Sequence, residues 1–245
     1  MNRFTWARGC AVFYLLLASG IAMAADLGPV YKAPAEPIAY MWTGCYLGVE
    51  GGGNWGRSQH ISAGLPNAAN AGLPINNTFD LSGALVGGTI GCNYQMSSWV
   101  VGIENDASWT NKSGSANDIR PFNVAATSQT SETWIDTLRG RLGFTWNRAL
   151  LYGTAGAAFA GSSVTVCGVV ACASDSRSRV GWVAGVGLEY AVWQTVSLKI
   201  EYLHADFGTE RYIKPPVSGG GFTIVTRDVS LTDDIVRAGV NWRFY

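Results

Sequence analysis

Few residues in this chain carry a spacing that could do chemistry unaided. His60 and His204 are the two histidines and stand far apart. A nucleophilic triad needs histidine aligned with a serine and an acid, whereas His204 is followed by Ala205 and Asp206 with no serine two residues away. No enzyme is expected. Cys45, Cys92, Cys167 and Cys172 form no pair of C-x-x-C units and have no nearby histidine, so no metal site is expected. In an exported chain they are free to pair. Cys167 and Cys172 bracket four residues and fit a closed loop, while Cys45 and Cys92 either bridge neighbouring strands or remain thiols. Gly51, Gly53 and Gly56 match G-x-G-x-x-G. A polar stretch without helical period follows them, so they read as backbone room and not as a dinucleotide cradle. No cofactor is expected.

The most regular spacing belongs to ten charged residues. Glu50, Glu104, Asp106, Glu189 and Glu201 share one strand face with Arg139, Arg141, Lys199, Arg237 and Arg243. Five acids thus stand against five bases. The alternate positions are apolar, as in Leu47 and Val49, Leu138 and Leu142, or Val186 and Leu188. The last eleven residues show the pattern at its clearest: Val236, Ala238, Val240, Trp242 and Phe244 occupy one face and Arg237, Gly239, Asn241 and Arg243 the other. Period-2 segments of this kind are strands with one face in oil and one in a polar place. Buried charges must be paired, so the ten predict a charge network inside a closed, narrow barrel.

Eight such segments are predicted, at 43–55, 79–94, 99–110, 132–146, 150–161, 179–191, 196–206 and 229–245. Their connections alternate long and short, the long ones (56–78, 111–131, 162–178, 207–228) being polar. The fold class expected is all-β, an eight-stranded antiparallel transmembrane up-and-down β-barrel with both termini on one side. Trp99, Trp146, Trp193, Trp242 and Phe244 fall beside the short turns or the C-terminus and predict an aromatic girdle there. Trp55, Trp109, Trp134 and Trp182 lie towards the long loops and predict a second one.

Residues 1–24 carry Arg3 and Arg8, a short apolar run and Ala22-Met23-Ala24, which reads as a secretory signal peptide. Residues 25–41, with Pro29, Pro34 and Pro37, read as a loose periplasmic segment, leaving 42–245 as the barrel domain. Removing the leader leaves fifteen basic and seventeen acidic side chains, a balance that excludes nucleic acid as a partner. No later stretch holds 18 consecutive apolar residues, which excludes a helical membrane span.

Trp42-Thr43-Gly44-Cys45-Tyr46-Leu47-Gly48, Gly87 to Gln95, Thr137 to Gly143, Gly181-Trp182 with Gly187 to Tyr190, Lys199 to Leu203 and the terminal Val236 to Phe244 resemble the small eight-stranded outer-membrane barrels of Gram-negative bacteria. That family includes opacity-type, porin-family and hemin-binding outer-membrane proteins. Cys45 departs from it where an aromatic is usual, and Tyr245 follows the phenylalanine on which such chains commonly end. The resemblance implies location in the outer membrane, with its lipid and lipopolysaccharide as surroundings. It also implies delivery by the assembly machinery through the C-terminal strand, and a monomer. The function expected is structural, stabilising the envelope and displaying surface loops. The alternatives are a surface binding protein for hemin or a cell-surface partner, and a narrow porin-like channel. A hemin site would draw on His60, in the first long loop, as an axial ligand.

Overall fold

A computed structural model describes residues 40–63, 68–168, 172–212 and 226–244. The leader and most of the proline-rich segment lie outside the described residues. Among the described residues nine strands follow one another: β1 (Gly44–Ser62), β2 (Phe79–Met96), β3 (Trp99–Thr110), β4 (Ser113–Asn117), β5 (Thr127–Trp146), β6 (Ala149–Cys167), β7 (Cys172–Ala191), β8 (Val196–Tyr212) and β9 (Arg227–Phe244). All pairings are antiparallel, and β9 closes on β1 from Cys45↔Phe244 to Ser62↔Arg227. The ring has eight members, because short β4 continues β3 beyond a break and pairs with β2 and β5. Closure removes both sheet edges, and with them the unpaired backbone groups that lipid could not satisfy.

The break is local chemistry. Asn111 accepts a hydrogen bond from the Ala84 N–H at 2.8 Å through its side chain and donates its own N–H to the Ala84 carbonyl. Lys112 thereby turns inward, where it is fully buried. Short connections follow β2, β5 and β7, and Ser97 and Asn147 take left-handed backbone angles (φ 56° and 54°) in the first two.

The strands outrun the predicted segments. Residues 56–62, 113–117, 127–131, 162–167, 172–178 and 207–212 were expected in loops and are strand. The nineteen residues of β1 rise about 3.3 Å each along the strand, or roughly 45 Å after a tilt near 40°. An outer-membrane apolar band is only about 25 Å tall. The sheet therefore continues past it on the side away from the termini.

The described residues also shift the lower boundary of the barrel. Tyr40, assigned to the loose segment, is buried with Trp42. Both pack on Val100, Leu150, Tyr152 and Ala191.

Candidate functional site

The interior is layered. At the terminus-bearing mouth, Trp42 donates its indole N–H to Thr145 Oγ1 at 3.0 Å and its backbone N–H to Gln95 at 2.7 Å. Tyr40 meets it edge-on with ring centroids 4.8 Å apart. Arg243, expected in the charge network, is instead turned to this mouth. Its guanidinium lies 4.3 Å from the Tyr40 ring and donates to the Met41 carbonyl. It sits at the last inward position of β9, within reach of the aromatic pair at this mouth.

The other nine charged residues meet in the middle of the barrel, all of them buried. Arg139 contacts Glu104 and Asp106 at 2.7 Å each and Glu201 at 2.9 Å. Arg237 contacts Glu50 at 2.5 Å, Glu201 at 2.6 Å and Asp106. Arg141 joins Glu104 to Glu189, and Lys199 joins Glu50 to Glu104. Since β5 and β8 are not neighbours, the Arg139–Glu201 contact crosses the lumen. Four cations face five carboxylates, and neutral donors supply the balance: the Tyr46 hydroxyl on Glu104, the Ser197 hydroxyl and Asn241 amide on Glu189, and the Tyr152 hydroxyl on Glu201. Charge-assisted bonds of this density hold a desolvated cluster together.

Above the charges lies a layer that the sequence did not predict. Leu81, Leu85, Ile135, Val183, Leu203, Leu231 and Ile235 point inward and pack together. Higher still, buried Lys112 pairs with Glu132 at 3.1 Å and with Asp233. Arg227 pairs with Asp118 at 2.9 Å, and Arg179 bonds Ser162 and Tyr212.

His60 belongs to this upper interior, and this corrects its placement as a loop ligand. It lies on β1, fully buried, with Nε2 2.9 Å from Thr130 Oγ1 and Nδ1 3.5 Å from Arg227. Its ring meets Phe79 edge-on. An imidazole engaged at both nitrogens inside a sheet cannot reach a ligand outside it. His204 faces outward instead, its Nδ1 2.8 Å from Asp234, which also accepts from the Tyr202 hydroxyl at 2.6 Å.

The exterior divides into two zones. Trp99, Trp146, Trp193, Trp242 and Phe244 are exposed near the terminus-bearing end, and Trp55, Trp109, Trp134 and Trp182 form a second exposed row. Between the rows the outward positions are largely aliphatic: Val49, Val86, Ile90, Leu138, Val186, Ile200 and Val240. Beyond the second row the alternation changes sign. On β6, Val164 and Val166 point in while Ser163 and Thr165 point out. On β2, Phe79 and Leu81 point in and Asp80 and Ser82 out. A chain that turns its apolar face outward below a line and inward above it has passed from an apolar solvent into water.

Cys45 and Cys92, opposite each other on β1 and β2, are joined, as are Cys167 and Cys172 at the far end of the β6–β7 hairpin. Gly51, Gly53 and Gly56 lie within β1, with no helix behind them.

Comparison with known proteins agrees with this architecture. The model of the outer membrane protein beta-barrel domain matches residues 61–244. The chain is 30% identical over 236 residues to the 31 kDa outer-membrane immunogenic protein of Brucella melitensis biotype 1, covering 91% of this chain and 93% of that one. It is 29% identical to the 25 kDa outer-membrane immunogenic protein of Brucella abortus biovar 1, covering 94% of each. The outer membrane protease OmpT of Escherichia coli shares the fold at a TM-score of 0.51 and 9% identity, over 85% of this chain and 99% of that one. A closed ring of strands, an apolar exterior between two aromatic rows and these relatives place the protein in the bacterial outer membrane, and the chain belongs to the outer membrane β-barrel protein family.

Proposed function

We propose that this protein acts as a structural barrel of the outer membrane, holding a rigid, plugged cylinder in the lipid and presenting an extended polar surface outside it. One observation carries the reading: Arg139 and Arg237 each tie three carboxylates together across the lumen, so the cylinder is braced from within. The presentation half is supported by strands that run well past the lipid band and end in a disulfide-closed hairpin. Relatives named for being immunogenic fit a surface displayed to the outside.

The reading assigns the protein no catalytic step. The one exposed histidine pairing, His204 with Asp234, is completed by Tyr202 and the Trp182 ring and not by a nucleophilic serine. We propose a monomer, since closure leaves β1 and β9 paired with each other. Two measurements test the function. In planar bilayers the purified protein is expected to give no steady channels, and sustained openings would favour the narrow-channel alternative. A deletion strain is expected to become detergent-sensitive; unchanged sensitivity with lost surface adhesion would favour the binding alternative.

A further inference from the structure

Above the second tryptophan row the outer face of β4–β7 differs from the rest of the barrel. Ser113, Ser131, Ser163 and Ser176 stand opposite one another, in register, across all four strands. One step farther out, Ser115, Gln129, Thr165 and Ser174 form a second row in the same register. Every one of these side chains is exposed or half-exposed, and none is charged or apolar. Charge appears on the flanking strands instead, with Arg57 on β1 near Asp80 on β2 and Arg211 on β8 paired to Asp228 on β9.

The lower edge of this face has a shaped feature. Trp134 stands opposite Gly161, which stands opposite Ser178. Because Gly161 has no side chain, the Trp134 indole lies across it, occupying the space a Cβ would need. Beside the indole is a shallow depression of about 220 Å³ lined by Thr133, Trp134, Ser163, Ser176, Arg177 and Ser178.

We propose that this face binds the saccharide portion of the outer-leaflet glycolipid. The chemistry fits a sugar. An indole offers an apolar plane to the C–H face of a pyranose, and short hydroxyls offer donors and acceptors while losing little rotamer freedom. Uncharged hydroxyls avoid the desolvation cost that ion-paired side chains would add. The position selects the source of the sugar. The serine row begins two residues beyond Gly161, about 7 Å along the strand, and three beyond Trp134 across the β5 bulge, immediately above the line where the exterior stops being apolar. A sugar layer anchored in the same leaflet lies at that height. The inference rests on the outer-membrane location and not on the plugged lumen.

The test compares wild type with the triple variant Ser131→Ala, Ser163→Ala and Ser176→Ala, and with a control, Gln59→Ala and Ser230→Ala, a facing pair on β1 and β9 across the ring. Each is reconstituted in phospholipid alone, with lipid A, and with lipopolysaccharide carrying its core sugars, and the unfolding temperature is read. Heat-dependent gel migration reports separately that each variant has folded. The core sugars are expected to raise the unfolding temperature beyond the lipid A value in wild type and control, and the triple variant should lose most of that increment. The proposal is overturned if lipid A alone gives the whole effect, if triple variant and control lose it equally, or if the increment follows protein concentration as self-association would.

Discussion

Arg139 and Lys112 show that the same charge type has opposite consequences depending on how many carboxylates it faces. Arg139 serves Glu104, Asp106 and Glu201, so Arg139→Met leaves a buried anionic cluster short of a cation. That is expected to cost about 3–5 kcal/mol, read as a lower urea midpoint in refolded protein. Among the described residues Lys112 faces Glu132 and Asp233, two acids to one base. Glu132→Gln removes a like-charge contact while keeping Lys112 paired, and should shift stability by less than about 1 kcal/mol or raise it. A loss as large as that of Arg139→Met would show that Lys112 needs both acids. The sequence exposed the Arg139 group because its members alternate with aliphatics inside recognisable strands. It hid Lys112, since Asn111-Lys112 interrupts β3 and reads as loop.

At the level of elements, the β1–β9 seam depends on backbone approach. A Cβ on Gly52 would collide with the Val236 carbonyl and sit 2.7 Å from Arg237 Cα, whereas one on Gly51 meets nothing closer than Leu85 O at 3.5 Å. Gly52→Ala should therefore destabilise the barrel by about 1–3 kcal/mol, and Gly51→Ala by no more than about 0.5 kcal/mol. Equal effects in urea titrations would show that the seam yields. Of the glycines that imitate a nucleotide motif, Gly56 serves this seam as Gly52 does, since a Cβ there would lie 2.5 Å from the Thr232 carbonyl oxygen. The same scale explains why strand ends were underestimated. In β6 the alternation never stops, but Ser163, Val164, Thr165 and Val166 carry it with the apolar side reversed. A reading tuned to lipid-facing apolar residues sees that reversal as loop.

For the whole molecule, the lumen is filled at two levels, by the central charges and by the aromatic pair at the terminus-bearing mouth. Trp42→Ala removes a fully buried indole and its bond to Thr145, with an expected cost of about 3–5 kcal/mol. It should also produce brief openings in planar bilayers where wild type gives none. Unchanged stability together with unchanged current would show that Trp42 does not close the mouth. By itself the sequence determined the closed barrel, its lipid-facing stripe and the inward set of charges, because period-2 alternation and loop rhythm are local signals written into every strand. Tertiary structure alone decided which charges meet, that Arg243 reaches the Tyr40 ring and the Met41 carbonyl, that His60 is enclosed, and that four serines from four strands line up. Those facts depend on strand register and on the height of each strand around the ring, which only closure of the barrel fixes.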